Sequence, residues 1–449
     1  MTGIAWLASL AALPICGWAL LAHPAFARWP LLSRVTLAGA TGAVLLSFVM
    51  TLAALAGLPW RTGALLLATV LLAAILRRAL PRSAGIPPAT ESNAATGPSG
   101  FGLGAHAAAA AAAAVALALV AAWSGAASSP DLVFFWGPKA QAFAQARTVD
   151  PAFLGAPHLE FMHPYYPPLV TNLFAFASMA AGRMVWTSAV LTFPLLLGAL
   201  ALGLPGLLRD RPGRDRAAAA SALAVAVTAY AGMQADVGGN GEMPLLVFEA
   251  LAIALLLSPA AAETPVRWLT GILLAGATAT KVEGLPFTIA AAAIAAAIDR
   301  PWSVRRAART LASLLTPSAI VLAAWLAFGA TRHLFVGYSG YGKFLDLYPG
   351  RVVAVAKAIA VNLLAAGHGL PWIVPALCLL AALPLARRAA IPLATAAVLA
   401  AFFLFTYLHR PEDPSLWISW SAARIFSPVA MLLALTTTCG ARPEEPETP

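Results

Sequence analysis

Long apolar segments separated by short polar ones make up most of this chain. An apolar run of about 17 to 25 residues is long enough to cross the hydrocarbon core of a bilayer as a helix. Such runs occur at 4–22, 33–58, 62–80, 105–123, 184–208, 217–234, 243–258, 268–281, 284–298, 311–330, 371–386, 391–408 and 420–438. The pattern therefore predicts an all-α polytopic membrane protein with a bundle of about 13 transmembrane helices.

Arginine clusters in the polar segments predict how these helices are oriented, because basic residues concentrate in the cytoplasmic loops of membrane proteins. The clusters lie at 77–82, 209–216, 300–309 and 387–388. All four clusters lie on the cytoplasmic side only if the apolar segments 169–181 and 352–366 do not cross the membrane and instead lie along its outer interface. This arrangement places the loop 124–168 outside, and we expect interfacial helices within it.

One segment of different composition divides the chain. Residues 81–104 are rich in Pro, Gly, Ser and Ala, which is typical of a flexible linker. The linker separates N-terminal transmembrane helices at 1–80 from a larger transmembrane module at 105–440. The tail, 441–449, has the composition of a disordered segment.

Composition excludes several classes of protein. Of the 449 residues, 61% are hydrophobic and only 10% are charged, which does not fit a soluble globule. The net charge of +10 comes from basic residues scattered in short loops, not from a basic stripe with interleaved aromatic residues, so we expect no nucleic-acid partner. The cysteines Cys16, Cys378 and Cys439 are far apart, and their spacing indicates neither a disulfide framework nor a zinc site.

A polar and aromatic island, residues 128–171, interrupts the apolar pattern. Asp131 follows a Ser-Ser-Pro turn just beyond a predicted spanning helix. A partly desolvated carboxylate at the mouth of the membrane can act as a general base. Asp131 can equally be the N-cap of the helix that begins near Leu132, because Asp favours that position.

Trp136 and Lys139 come five and eight residues after Asp131. On a helix of 3.6 residues per turn, the carboxylate and the ammonium are then about two turns apart on neighbouring faces. An interfacial helix could direct both groups and the indole toward one cavity. A tryptophan that anchors a helix at the interface would produce similar residues for structural reasons alone.

The motif HPYYPP at 163–168 ends the island. Its paired prolines favour an extended lead-in and then the first turn of a helix. His163, Tyr165 and Tyr166 are therefore expected at the mouth of the next helix, either as part of a cavity or as an aromatic belt.

Further polar groups are predicted on the same side of the membrane as the island. Lys281 and Glu283 lie in a TKVEG turn between two apolar runs, and Asp236 and Glu242 lie in the Gly-rich segment ADVGGNGEMP. Arg332, Lys343 and Arg351 are also predicted outside, and Arg424 faces the same leaflet from the last span. Each cation can stabilise an anionic leaving group, or it can reach toward lipid headgroups. Asp236 can also serve the turn beside its Gly-Gly-Asn sequence.

The motifs appear in a fixed order along the chain. They are Asp131, WGPKA at 136–140, HPYYPPL at 163–169, EMPL at 242–245 and GATATKVEGL at 276–285. In order and sidedness they resemble the GT-C superfamily of membrane glycosyltransferases, above all the bacterial relatives of the protein O-mannosyltransferases and of the enzymes that add aminoarabinose to lipid A. The resemblance covers residues 105–300, and the C-terminal third only through its general pattern and residues 420–424.

The resemblance implies an inverting transfer of a sugar from a polyprenyl-phosphate donor to a hydroxyl of a glycan, lipid or protein acceptor. The reaction would take place at the outer face of the cytoplasmic membrane, with Asp131 as general base. Glu242, Asp236 and Glu160 would assist the acceptor or a metal. Lys281, Lys139, Arg332, Arg351 and Arg424 would bind the donor phosphate. Trp136, His163, Tyr165, Tyr166 and Glu283 would line the substrate cavity.

Two departures from the family pattern affect this expectation. Many members have a second acid next to the first, whereas Leu132 and Val133 follow Asp131 here. Glu242 stands where Asp is more usual. The sequence thus requires no cofactor and leaves a divalent cation open. A secondary transporter or flippase, and an inactive scaffold of the same fold, are the alternative functions.

Overall fold

The computed structural model describes residues 2–81, 103–125, 129–208, 214–233, 239–299, 301–334, 348–364, 389–409 and 414–439. The regular structure in these ranges is helical, without a strand. In chain order the helices are α1 (Thr2–Leu21), α2 (Leu31–Leu55), α3 (Thr62–Ala79), α4 (Leu103–Gly125), α5 (Gly137–Ala146), α6 (Pro151–Leu154), α7 (Leu169–Ala181), α8 (Trp186–Leu208), α9 (Arg214–Met233), α10 (Glu242–Leu257), α11 (Thr264–Thr280), α12 (Gly284–Ile298), α13 (Val304–Thr331), α14 (Val352–Leu364), α15 (Ala390–Leu408), α16 (Pro414–Ile425) and α17 (Ser427–Leu435).

Within the described ranges, 8 helical segments are long and apolar enough to cross a membrane. They are α1, α2, α3, most of α4, α8, α13, α15 and the continuous stretch Ser415–Leu435 that covers α16 and α17. Each corresponds to a span predicted from the sequence, with ends that agree within three residues except at the starts of α13 and of Ser415–Leu435, which lie seven and five residues earlier than predicted. The expectation of an all-helical polytopic membrane protein is confirmed, although the total of 13 spans is not established.

The predicted span 217–234 forms the 20-residue helix α9, which is not one of the eight segments. The remaining predicted spans form shorter helices or lie outside the described residues. Helices α10, α11 and α12 contain 16, 17 and 15 residues. At 1.5 Å per residue they are about 22 to 26 Å long, less than the roughly 30 Å of a hydrocarbon core. The predicted span 371–386, residues 82–102 of the predicted linker and the tail 441–449 are not among the described residues.

Helix α10 lies at the centre of the bundle. All its residues are buried, and its neighbours include α8, α9, α11, α12, α15 and α17. A helix that is apolar on every side is stable only where other protein surrounds it. The neighbours of α10 therefore separate the polar residues that it carries from lipid.

Helices α1 and α2 pack against each other at unusually short range. A Cβ atom on Gly17 would overlap the carbonyl oxygen of Ala38, and one on Gly42 would overlap that of Leu13. Such approach of two backbones through small residues is a common way to pair helices in membranes. Helix α2 also packs on α7, α8, α11 and α13, so the N-terminal helices are in direct contact with the larger module.

Helix α7 is covered by protein along most of its length. Residues 169–178 are buried, and α7 packs against α1, α2 and α5. Helix α14 packs against α15 and α16. The expectation that these two segments lie along the outer interface stays a prediction.

Candidate functional site

Asp131 begins a single π-helical turn, Asp131–Trp136, that runs directly into α5. The N–H of Gly137 donates to the carbonyl of Leu132, which closes the wide turn. A side chain at Gly137 would overlap the ring of Trp186, so only glycine fits there. Single π-turns within α-helices are frequent at functional sites, and this one sets the direction of the Asp131 carboxylate.

Five ionisable side chains from four parts of the chain meet at one end of α11. Lys281 Nζ lies 2.6 Å from Glu242 Oε1 and 3.6 Å from Glu283 Oε1. Arg424 Nε lies 3.8 Å from the same Glu242 Oε1, and Arg424 Nη1 lies 3.5 Å from Asp131 Oδ2. We call these five residues the ionic network. Their convergence brings together five of the acids and cations that the sequence singles out.

Helix ends hold the network in place. Glu242 is the first residue of α10, where a negative charge is favoured by the helix dipole. Lys281 ends α11 in an extended conformation and Glu283 precedes α12, so the break between the two helices positions both side chains. Arg424 reaches the network from the last turn of α16.

The centre of the network is buried, its other members are half-buried, and the whole carries an excess of negative charge. Glu242 is 3% exposed and Lys281 is 7% exposed. With three carboxylates and two cations, the formal charge is −1 if every group is ionised. Glu242 Oε2 and Glu283 Oε2 are buried and make no hydrogen bond within the described part of the chain. These oxygens can accept a hydrogen bond from a substrate hydroxyl or bind a cation.

Little space lies beside the network in this conformation. The adjoining cavity, lined by Glu242, Lys281, Glu283 and Arg424, has a volume of about 10 Å³. That volume suits about one water molecule, whereas small-molecule sites are typically about 300–1,000 Å³. A sugar phosphate can bind here only if the side chains of the network separate.

An aromatic cluster, formed by Phe135, Trp136, His163, Tyr165 and Tyr166, lies beside the network. His163 stacks on Tyr166 at 4.8 Å and its Nδ1 lies 2.8 Å from the Tyr165 hydroxyl. His163 has a positive φ of 51°, which is uncommon for a residue with a side chain. The predicted motif HPYYPP therefore forms a compact, folded turn.

The aromatic cluster touches the ionic network at Gly241. A Cβ atom there would lie 3.0 Å from the ring of Trp136 and 3.5 Å from Cδ of Lys281. Gly241 thus lets the indole pack against the stem of Lys281. Trp136 Nε1 is buried and makes no hydrogen bond within the described ranges, so it is available as a donor to a ligand.

Lys139 holds the two parts of the island together. Its side chain is buried, its Nζ donates to the carbonyl of Met162 at 2.9 Å and to that of His163 at 3.4 Å, and it lies 4.9 Å from the centre of the Trp136 ring. Burial lowers the pKa of Lys139 from 10.5 to about 7, and the charge of Asp131 partly offsets this shift. Its hydrogen bonds to the carbonyls of Met162 and His163 fit a role in fixing the loop before α7. The predicted role in binding phosphate stays a prediction.

The remaining predicted residues stand apart or lie outside the described side chains. Arg332 is exposed at the end of α13, and no described contact joins it to the network. Arg351 stacks on the ring of Tyr348 at 4.8 Å. Glu160 belongs to the short helix Pro157–Met162, but its side chain is not described, and Asp236 lies outside the described residues.

Glu249 is a buried acid that the sequence reasoning missed. It is fully buried in α10, and neither carboxylate oxygen makes a hydrogen bond within the described ranges. Glu249 comes seven residues after Glu242, hence two turns along the same face of the helix. The signal was visible as a single acid within the apolar run LLVFEALAIALLL, because ionisable residues inside membrane helices usually have a function.

The described residues contain no group of three His, Cys, Asp or Glu side chains arranged to hold a metal ion. The expectation that a divalent cation can take part therefore stays a prediction. Comparison of the chain with family models, curated proteins and solved structures finds no match.

Proposed function

We propose that this membrane protein is a GT-C-type glycosyltransferase that transfers a sugar from a polyprenyl-phosphate donor to an acceptor hydroxyl with inversion. The observation that carries the proposal is the ionic network. An isolated acid at a helix end has many structural explanations, but three acids and two cations from four segments are costly to bring together in a largely buried position. A group of acids and cations this close together suits a reaction that needs both a general base and a positive charge to stabilise a leaving group.

Asp131 is the proposed general base. Its carboxylate lies 3.5 Å from Arg424 Nη1, and its side chain remains 14% exposed, so an acceptor hydroxyl can approach it. The acceptor hydroxyl would give its proton to Asp131 and attack the anomeric carbon, while the bond from that carbon to the donor phosphate oxygen breaks.

Arg424 and Lys281 are the proposed partners of the leaving phosphate. Both are engaged by carboxylates, so the donor phosphate must take the place of a carboxylate to reach them. Arg424 lies 3.5 and 3.8 Å from the carboxylates of Asp131 and Glu242, farther than the 2.6 Å between Lys281 and Glu242. The aromatic cluster supplies stacking surfaces beside this position, which suit the flat faces of a sugar ring.

The test compares Asp131→Asn with Asp150→Asn. Asp150 lies in the same loop, and its carboxylate caps α6 by accepting from the N–H groups of Ala152 and Phe153. Vesicles that contain each variant are supplied with radiolabelled polyprenyl-phosphate pentose or hexose, and transfer to envelope acceptors is measured. We expect Asp131→Asn to lower the rate by about 10²–10⁴-fold and Asp150→Asn to leave it within a few fold. Full transfer by Asp131→Asn, in a protein that inserts normally, would refute the proposal.

Glu249 favours a second candidate function, a secondary transporter or flippase. A buried carboxyl group within the bundle is the kind of residue that transporters use to carry a proton or ion. Glu249→Gln separates the two candidates in vesicles loaded with the labelled donor. Loss of flux with unchanged sugar transfer supports transport, whereas unchanged flux supports the glycosyltransferase.

A further inference from the structure

A second polar site lies at the opposite end of α11 from the ionic network. There a cavity of about 460 Å³ opens between α11 and α13. It is lined by Ala262, Thr264, Arg267, Trp268, Asp299, Arg306, Arg309, Ala312 and Ser313. Helix α11 has 17 residues, so the two sites are separated by about 25 Å along its axis. We call this space the arginine cavity.

The arginine cavity has more positive than negative charge. Arg267 Nη2 lies 2.9 Å from Asp299 Oδ2, and Arg306 Nη1 lies 4.0 Å from Asp299 Oδ1. The hydroxyl of Thr310 also donates to Asp299 Oδ2, at 2.9 Å. Asp299 therefore lies closer to the guanidinium group of Arg267 than to that of Arg306. Arg309 is exposed and has no ion pair within the described ranges, which leaves a formal charge of +2.

The backbone increases this positive potential. Arg306 and Arg309 lie in the first two turns of α13, and the first turn contains no acidic residue. The N-terminal end of a helix already carries a partial positive charge, so acids are favoured there and arginines are not. A preference for cytoplasmic arginines accounts for their presence near a membrane surface. It does not account for their position around a cavity large enough for a ligand.

Phosphate is the anion that best suits these donors. Guanidinium groups form paired hydrogen bonds with phosphate oxygens. The walls also include the indole of Trp268 and the methyl groups of Ala262 and Ala312, which can contact an apolar portion attached to the phosphate. A volume of 460 Å³ lies within the usual range for a small-molecule site.

We propose that the arginine cavity binds a phosphate group, with Arg306 and Arg309 as its principal ligands and Arg267 held in place by Asp299. The phosphate belongs either to an anionic lipid headgroup or to a free phosphate compound, since both present the same chemistry. This binding site lies away from the ionic network and does not depend on the proposed glycosyl transfer.

Arg309→Gln is the main test, because Arg309 has no described ion pair whose loss would disturb the fold. Arg305→Gln is the matched control: Arg305 is exposed on the same helix, next to Arg306, but does not line the cavity. Arg309→Lys keeps the charge and removes the paired donors. Purified full-length protein is titrated with inorganic phosphate in detergent, and separately with nanodiscs that contain phosphatidic acid or only phosphatidylcholine.

We expect Arg309→Gln to weaken binding by roughly 10-fold or more, as the loss of a charge-assisted hydrogen bond implies. The affinity of Arg309→Lys should fall between those of Arg309→Gln and the unaltered protein, and Arg305→Gln should bind as the unaltered protein does. Dependence on Arg309 in the phosphate titration identifies a free phosphate ligand, and dependence only in phosphatidic acid nanodiscs identifies a lipid. Equal losses for Arg305→Gln and Arg309→Gln, or no dependence on Arg309 with either probe, would overturn the proposal.

Discussion

Breaking the buried pair of Lys281 and Glu242 should destabilise the protein strongly. Lys281 Nζ and Glu242 Oε1 are 2.6 Å apart, and the two side chains are only 9% and 5% exposed. Removal of one member of such a pair leaves a buried charge without its partner, which typically costs about 3–5 kcal/mol. Lys281→Met leaves Glu242 with Arg424 at 3.8 Å, and Glu242→Gln leaves Lys281 with Glu283 at 3.6 Å. We expect each single change to lower the free energy of unfolding by about this amount.

A double-mutant cycle separates the interaction from the other effects of each change. Together, Glu242→Gln and Lys281→Met should cost less than the sum of the single changes, with a coupling energy of about 2–3 kcal/mol. Unfolding is measured by SDS titration in mixed micelles and followed by tryptophan fluorescence.

The pair Arg28 and Glu263 provides a control with a similar contact distance and greater exposure. Its two hydrogen bonds are 2.6 and 2.7 Å long, and the side chains are 28% and 17% exposed. Water stabilises such charges when they are separated, so the coupling should be about 1 kcal/mol or less. If Lys281 and Glu242 couple no more strongly than this control pair, burial is not what makes their interaction strong and the reasoning is wrong.

Two further predictions concern stability. The pKa of Lys139 is about 7 in the folded protein, compared with 10.5 in the unfolded chain. Between these two pH values the unfolded chain binds more protons, so the free energy of unfolding should rise with pH by up to about 1.4 kcal/mol per pH unit. Below pH 7 the cost of the buried charge is present in full. Unfolding titrations at several pH values should show this slope, and Lys139→Met should remove it. Gly17→Val should force α1 and α2 apart and lower the free energy of unfolding by roughly 1–3 kcal/mol. The control Gly63→Val should change the unfolding midpoint little, because no atom lies within 4 Å of a Cβ placed there. Equal shifts of the midpoint for the two variants would contradict the packing argument.

The sequence predicted the membrane helices well because long apolar runs leave few alternatives. Helices α8 and α15 begin and end within about two residues of the predicted spans. The shorter helices α10 to α12 were also located, but their burial could not be read from composition. An apolar run looks the same whether lipid or protein surrounds it, and only the tertiary contacts of α10 show that it is enclosed.

The site residues were predictable where charge is rare. Asp131, Glu242 and Lys281 stood out because charged residues at span ends are few, and the structure brings them together. The partner of each residue was not predictable, since the pairing of Asp131 with Arg424 joins positions almost three hundred residues apart. The arginine cavity was missed for a related reason: its arginines fit the pattern of orientation signals, and nothing in the sequence places them around a cavity.

The enclosure of α10 bears on how the protein enters the bilayer. A helix with Glu249 at its middle and Glu242 at its first residue is a poor substrate for insertion by itself, since an acid at mid-membrane adds about 2.5–3.5 kcal/mol to the insertion free energy. The next helix along the chain, α11, supplies the cation Lys281, and only residues 258–263 connect the two. Delivery of α10 and α11 as a paired hairpin would neutralise Glu242 before it meets lipid. The order of residues along the chain thus provides the partner charge during synthesis, when the surrounding helices α12, α15 and α17 have not yet been made.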